Sequence, residues 1–473
     1  MPLSYNPDIF REYDIRGIAD RDLTDPVIEA IGRAFASRLV AAGPATVTVG
    51  YDARLSSPRI RDAVLRGLAS AGADPVDIGL CPTPALYFSL HHLRPAGGIM
   101  ITGSHNPPEF NGLKLCVGTR TIYGGDIQQL RSIIDTGGGA PAARPGAPSS
   151  HHILPEYEID LTRRFPGLRD LPLSVVVDSG NGAGGIAAPA VLRAMGCTVR
   201  ELYSVPDGRF PHHHPDPTVP GNLTALISAV REEKADLGVG LDGDADRIGV
   251  VDEQGTILWG DQLMVLFSRD ILNERPGATI VSEVKCSQVM YDDIRRHGGN
   301  GLMWKAGHSL IKAKMRETGA VLGGEMSGHI FFADRFPGYD DAIYAACRVV
   351  ELLRKARQAQ GKPVALSSLL ADLPRTVSTP EIRFDCPDAI KFQVVDRVRE
   401  QYTAGSDLPL RTREVITVDG IRAVFDRGWG LLRASNTQPV LVMRFEAADQ
   451  GSLDAIRAVM EQQVSAAVRA LQP

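Results

Sequence analysis

Residues 240–247 read Gly-Leu-Asp-Gly-Asp-Ala-Asp-Arg, spacing Asp242, Asp244 and Asp246 at i, i+2 and i+4 with only glycine and alanine between them. On a helix these positions do not share one face. The flanking runs Leu237-Gly-Val-Gly240 and Ile248-Gly-Val-Val251 have strand character, so a tight loop between strands is expected. Such a loop can turn all three carboxylates inward, and three hard oxygen donors with little bulk between them suit Mg²⁺ or Ca²⁺. The spacing approaches an EF-hand, with Glu253 at the twelfth position, but Arg247 stands where that loop needs glycine and helices are missing on both sides. The competing reading is a solvated acidic turn, because Asp and Gly are common turn residues.

Three further stretches carry chemistry. Thr102-Gly-Ser-His-Asn-Pro-Pro108, continued by Glu-Phe-Asn-Gly-Leu-Lys114, follows an apolar run and offers Ser104 as an exposed nucleophile. It does not fit the G-x-S-x-G elbow, and an ordinary loop with hydroxyl turn bonds is its alternative. In Gly323-Gly-Glu-Met-Ser-Gly-His-Ile330, Glu325, Ser327 and His329 alternate. In an extended loop they would project to one side, where carboxylate, hydroxyl and imidazole could bond sugar hydroxyls. The alternative is a buried polar loop with His329 satisfied by backbone. In Arg433-Ala-Ser-Asn-Thr-Gln-Pro439, Arg433 supplies a charged fork and Ser435, Asn436 and Thr437 short donors, a candidate phosphate cradle or else a polar turn before a strand. Val177-Asp-Ser-Gly-Asn-Gly-Ala-Gly-Gly185 lacks a clean G-x-G-x-x-G and reads as a tight strand-to-helix turn. His212, His213 and His214 are bracketed by prolines and read as a surface loop.

These loops need elements to hold them. Residues 45–50, 173–177 and 278–282 read as strands, and 57–72, 186–195 and 287–297 as the helices that follow. Repeated strand–loop–helix units predict a mainly parallel α/β architecture. Residues 136–150, rich in Gly, Ala, Pro and Ser, read as a linker, and further boundaries are expected near 252–258 and 358–366. The last part changes to strand runs at 415–418 and 440–445 and a final helix from Ser452, a smaller α+β domain. The 473 residues predict about three domains by length, but the pattern counts four. A net charge of -5 argues against nucleic-acid or anionic-membrane partners, so a positive field for an anionic substrate must be local. The six cysteines include no C-x-x-C pair, which predicts buried thiols in a reducing compartment. There is no apolar leader and no apolar run of about 18 residues, so the cytoplasm is the expected location.

Together TGSHNP, DGDADR, GEMSGH and RASNTQP resemble, in order and separation, the α-D-phosphohexomutase family, closest to its bacterial phosphomannomutase/phosphoglucomutase members. The resemblance covers essentially the whole chain. It implies four domains around a central cleft: three related mixed-sheet α/β units, 1–147, 148–253 and 254–364, and a C-terminal α+β domain, 365–473. They would carry the serine, aspartate, sugar and phosphate loops in turn. It implies phosphoryl transfer between the 1- and 6-positions of mannose or glucose phosphates through phospho-Ser104 and a hexose 1,6-bisphosphate. Mg²⁺ would sit on Asp242, Asp244, Asp246 and the serine phosphate. Glu325, Ser327 and His329 would read sugar hydroxyls, and Arg433, Ser435, Asn436 and Thr437 would hold the unreactive phosphate. Tyr13, Arg16, Lys114, Arg247, Lys285 and His308 align with other cleft residues, His308 with one proposed for proton transfer. The partners implied are small-molecule hexose phosphates, and no obligate protein partner is evident. Tyr51 departs from the family's usual Gly-Arg-Asp. Met326 stands where phosphoglucosamine mutases usually have glutamine, which favours mannose or glucose phosphates over that alternative. A metal-dependent phosphatase would use the same serine and metal but release phosphate to water.

Overall fold

The run Thr46-Val-Thr-Val-Gly-Tyr51 is β-branched through its first four residues and forms a strand whose central residues are buried. It lies inside a mixed sheet with the order Ile15–Ile18, Phe110–Val117, Gly97–Ile101, Thr46–Tyr51, Asp74–Leu80, Ser149–Ser150. From Gly97–Ile101 through Thr46–Tyr51 and Asp74–Leu80 to Ser149–Ser150 the pairings are parallel, and Phe110–Val117 runs antiparallel to both Gly97–Ile101 and Ile15–Ile18. Helices Asp25–Val40 and Ser57–Ser70 pack Ile31, Phe35, Ile60 and Val64 onto Val47, Val49 and Ile99. The computed structural model describes residues 3–137, 141–167, 171–403, 409–435 and 439–471. The chain divides into two compact bodies, Met1–Glu274 with Ser327–Ala371, and Arg275–Met326 with Asp372–Pro473.

The first body also holds a five-stranded sheet, ordered Ile257–Leu258, Ile248–Asp252, Leu237–Leu241, Leu173–Asp178, Cys197–Leu202. Its last three strands are parallel, while Leu237–Leu241 and Ile248–Asp252 form an antiparallel pair whose turn is the aspartate loop. Helix Ala342–Gln360 braces this body through buried Arg354, which donates to the Leu171 carbonyl at 2.8 Å and the Met195 carbonyl at 2.7 Å. The second body holds three parallel strands, Asn300–Trp304, Thr279–Glu283 and Leu322–Gly324, and a six-stranded antiparallel C-terminal sheet. Helices Asp388–Thr403 and Gln450–Leu471 close its core around Val394, Met443, Phe445 and Met460. Among the described residues no helix is long and apolar enough to cross a membrane.

The α/β sheets and the antiparallel C-terminal domain agree with the expected architecture. Within the stretch read as a linker, the described residues from Ala142 on dock against the first sheet and its helix. Ala142 N–H donates to the Ser70 carbonyl and Gly146 N–H to the Ala69 carbonyl, both at 2.8 Å, and Ser149–Ser150 adds an edge strand. Small residues allow this docking, since a Cβ at Gly146 would lie 1.8 Å from the Ala73 carbonyl oxygen. All six cysteines are buried thiols. The histidine tract braces the glycine-rich turn: His213 Nε2 lies 3.0 Å from both Asp178 carboxylate oxygens, and His212 Nδ1 lies 2.7 Å from Asn181 Oδ1.

Asp341 caps helix Ala342–Gln360, accepting from Tyr344 N–H at 2.8 Å and from the Tyr157 hydroxyl at 2.8 Å. Burial pushes its carboxyl up to about 7 despite those donors. A raised carboxyl contributes stability that is complete below its unfolded value near pH 4 and is lost as pH rises to 7, on the order of 4 kcal/mol. Asp341→Asn is therefore expected to flatten the fall in melting temperature between pH 5 and 8. Thermal melts of both proteins across that window test this, and parallel curves would count against it.

Candidate active site

The hairpin turn between Leu237–Leu241 and Ile248–Asp252 buries Asp242, Asp244 and Asp246 completely. Ala245, at φ +57, makes the turn tight, and the Asp242 carboxylate accepts from the N–H groups of Asp246 at 3.1 Å and Arg247 at 3.2 Å. One oxygen from each aspartate lies within 4.8 Å of the others. Lys114 Nζ donates to Asp244 Oδ2 at 2.8 Å and also to Asp246 Oδ2. Thr83 Oγ1 donates to Asp244 Oδ2 at 2.5 Å. Among the described residues, Asp244 Oδ1 and Asp246 Oδ1 are buried without a hydrogen-bond donor. Burial and the neighbouring Asp244 and Asp246 carboxylates push Asp242 well above the usual carboxylate range. Burial acts on Asp244 in the same sense, but Lys114 and Thr83 hold it below that range. Three carboxylates around one ammonium, with two orphaned oxygens, fit a hard divalent cation.

Ser104 is brought to this cluster from the first sheet. It follows strand Gly97–Ile101, is 2% exposed and has φ +49, a conformation that costs an L-residue roughly 1–2 kcal/mol. Its Oγ donates to Asp242 Oδ2 at 2.8 Å and lies 3.1 Å from His105 Nδ1. Burial, then Arg247 and Arg16, push the His105 imidazole well below its usual range, so it faces the hydroxyl uncharged. The two loops pass so closely that a Cβ at Gly243 would lie 2.4 Å from the Ser104 carbonyl oxygen. Arg16 Nη1 donates to Asn106 Oδ1 at 3.0 Å, tying the first strand to the serine loop. Tyr13 is half-buried just before that strand.

The sugar-loop stretch is a turn and not the extended run expected from alternation, because Gly328 adopts φ +91 beside the Ile248 backbone. His329 consequently faces the aspartate cluster. Its Nε2 accepts from Arg247 Nε at 2.9 Å, and its Nδ1 lies 3.0 Å from Asp340 Oδ2. Asp340, His329 and Arg247 thus stand in a row beside the aspartates, Asp340 on one side of the imidazole and the Arg247 guanidinium on the other. Ser327 is half-buried in the same body.

The second body assembles its own charged cluster. Glu325 accepts from Gly307 N–H at 2.5 Å, and Gly307 leads into helix His308–Thr318, placing nearly buried His308 at its first position. Lys285 Nζ lies 3.3 Å from Glu381 and 3.9 Å from Glu283. Burial disfavours its charge, but Glu283, Glu381 and Glu325 more than offset this and raise the ammonium above its usual range. Asp419 Oδ2 joins the loop before helix His308–Thr318 to strand Gly428–Ala434, accepting from Ala306 N–H at 3.1 Å and Arg433 Nε at 2.9 Å. Ser435 N–H donates to the Val440 carbonyl at 3.0 Å, closing the phosphate-loop candidate. Asn436 and Thr437 lie outside the described residues.

Thus Ser104, Lys114, the three aspartates, Arg247 and His329 converge in the first body, with Arg16 one hydrogen bond away. Lys285, His308, Glu325, Arg433 and Ser435 belong to the second. Sequence reasoning missed Arg54, Thr83 and Asp340, whose partners are remote in the chain. The only local signal was Asp52-Ala-Arg54 at the end of a strand.

Four consecutive stretches match the phosphoglucomutase/phosphomannomutase family: residues 7–137 its alpha/beta/alpha domain I, 157–255 domain II, 259–377 domain III and 381–463 the C-terminal domain. The chain is 42% identical over 463 residues to a phosphomannomutase/phosphoglucomutase of Pseudomonas aeruginosa, covering 97% of this chain and 96% of the relative. It is 40% identical over 454 residues to a phosphoglucomutase of Neisseria gonorrhoeae, covering 96% of each. A crystal structure of a phosphoglucomutase/phosphomannomutase family protein from Burkholderia thailandensis superposes with a TM-score of 0.89 at 38% identity, covering 98% of both chains.

Proposed function

Because the chain belongs to the α-D-phosphohexomutase family, we propose that its hexose-phosphate mutase activity runs through a phosphoryl group carried on Ser104. The observation that carries this reading is a serine hydroxyl 2.8 Å from a buried three-aspartate cluster with two orphaned oxygens. A sugar hydroxyl is a poor nucleophile, so the residues must supply in-line positioning and charge stabilisation. Phospho-Ser104 gives its phosphoryl group to the free 1- or 6-hydroxyl: the Ser Oγ–P bond breaks, a sugar O–P bond forms, and the proton lost by the sugar hydroxyl is balanced by one taken up on the released Ser104 Oγ. The product is a hexose 1,6-bisphosphate. Return of the other phosphoryl group to Ser104 completes the isomerisation without net loss of phosphate.

Asp242, Asp244 and Asp246 would hold Mg²⁺, which supplies charge neutralisation at phosphoryl oxygens. Lys114 fixes two of those aspartates and presents its charge beside them. Arg16 and Arg247 are the cations for the transferring group, and His329 accepts from the Arg247 guanidinium. Glu325 and Ser327 are the readers of sugar hydroxyls, while Lys285, Arg433, Ser435, Asn436 and Thr437 take the unreactive phosphate. Tyr13 and His308 complete the set, His308 as the candidate for proton transfer. The four domains are proposed at 1–147, 148–253, 254–364 and 365–473. Mannose and glucose phosphates are the proposed substrates.

The test is ³¹P NMR of the protein with glucose 1-phosphate or mannose 1-phosphate, Mg²⁺ and a trace of the matching 1,6-bisphosphate. The expected result is stoichiometric 6-phosphate without inorganic phosphate. Inorganic phosphate appearing in step with substrate loss would establish a phosphatase instead.

A further inference from the structure

Resting on the reading of Ser104 as carrier, we infer that Arg54 is the positioning residue for that serine: its guanidinium gathers the carbonyls of the serine loop and sets Ser104 in the left-handed conformation that aims Oγ at Asp242. Arg54 is 1% exposed. Its Nη2 donates to the carbonyls of Ser104 at 2.8 Å and Asn106 at 2.5 Å, and its Nη1 to those of Pro107 at 2.6 Å and Phe110 at 2.9 Å. The loop's carbonyls converge on one point instead of entering a sheet or helix, and only a planar fork of donors serves so many acceptors from one point.

The fork is itself held in place. Asp52 Oδ2 lies 3.2 Å from Arg54 Nε and accepts from Gly103 N–H at 3.2 Å, while Asp52 Oδ1 accepts from Ser57 Oγ at 2.6 Å. The guanidinium lies 5.2 Å from the centre of the Phe210 ring. Gly103 packs flat against it, since a Cβ there would lie 2.5 Å from Cζ and Nε. Gly103 is not among the glycines with positive φ, so contact with Arg54 is what restricts that position. Asn106, whose carbonyl Arg54 holds, also receives Arg16 through its side chain. One guanidinium thus sets both the carrier oxygen and a neighbouring cation.

Steady-state kinetics on glucose 1-phosphate would test this in Arg54→Lys, Arg54→Ala, Gly103→Ala and the double variant Arg54→Lys/Gly103→Ala. Arg54→Lys keeps the charge without the fork and is expected to lower kcat about 100-fold with KM within about threefold, because misplacing a reacting atom by about 1 Å costs this much. Gly103→Ala should show the same split, and the double variant should be no worse than the worse single. Added guanidinium ion should restore part of the kcat of Arg54→Ala. Arg59→Ala is the control: it removes bonds to the Ala19 and Leu23 carbonyls, away from the serine loop, and should lower the melting temperature without lowering kcat. If the Arg54 variants fail to fold, Gly103→Ala decides. Undiminished kcat in Arg54→Lys or Gly103→Ala beside an active wild type, or an equal kcat loss in Arg59→Ala, overturns the role of Arg54 alone. A wild type that does not isomerise hexose phosphates overturns the carrier reading itself.

Discussion

Ser104→Ala is expected to abolish mutase turnover, lowering kcat on the order of 10⁴-fold or more, while leaving the fold intact. The size follows from the loss of the only oxygen that would exchange the phosphoryl group with both ends of the sugar. A water or free phosphate cannot substitute, because each turnover must regenerate the same phosphorylated protein. The fold should survive, since alanine and serine meet similar cost at φ +49 and the loop is held by backbone contacts to Arg54. The Asp242 carboxylate loses the Oγ donor but keeps the Asp246 and Arg247 N–H groups. Intact mass spectrometry supplies the second readout. Wild-type protein incubated with glucose 1,6-bisphosphate should gain one phosphoryl group that maps to Ser104, and the variant should gain none. Sustained isomerisation by Ser104→Ala would place the carrier elsewhere.

Lys114→Met carries the second large effect, on stability as well as activity. The ammonium is 3% exposed and offsets two fully buried carboxylates, Asp244 and Asp246. Burial disfavours its charge, yet those carboxylates raise it above the ordinary lysine range. Removing one partner of a buried ion pair costs about 3–5 kcal/mol, because the remaining charge loses its compensation without regaining water. The sign with pH follows from what remains. Without Lys114 the larger of the influences that hold Asp244 below its usual range is gone and the Thr83 hydroxyl is left to oppose burial, so the variant should lose most stability near pH 8 and recover part of it near pH 5, where the carboxylates can take up protons. Mg²⁺ should also raise the melting temperature of the variant more than that of the wild type, since the cation would supply the missing charge. Turnover should fall by about 10²–10³ at saturating substrate, as for loss of a fixed charge beside a developing one. Melts at both pH values, with and without Mg²⁺, check this, and equal melting temperatures would remove Lys114 from the cluster's charge balance.

The main elements of this protein were legible because their signals are local. The strand at Thr46–Tyr51 and the helix at Ser57–Ser70 fall within two residues of expectation, since alternation and helical spacing are short-range patterns. The segment read as a linker lies mostly between two of the matched domains, but its docking at Ala142 and Gly146 was not legible, because composition cannot show which backbone a linker packs against. The aspartate triplet was legible because its carboxylates lie within five residues, with small residues between them. The sugar loop was read as extended because alternation says nothing of a positive φ. Gly328 takes that conformation where the turn passes the Ile248 carbonyl.

Taken alone, the sequence determined the inventory: a serine in a glycine- and proline-bounded loop, three clustered carboxylates, a polar Glu-Met-Ser-Gly-His stretch and a basic cradle. It also determined, through four loops in family order, the reaction class they serve. Tertiary structure decided which of these groups act on one another. Lys114 reaches the aspartates from a strand more than a hundred residues away, Thr83 joins them from a helix start, and Asp340 comes within 3.0 Å of His329. Arg54, whose only signal was its place two residues after Asp52 at a strand end, meets the loop that bears Ser104. The reason is physical. The pull of a cation on a carboxylate, or of a guanidinium on a carbonyl, depends on distance and on the exclusion of water, and packing sets both.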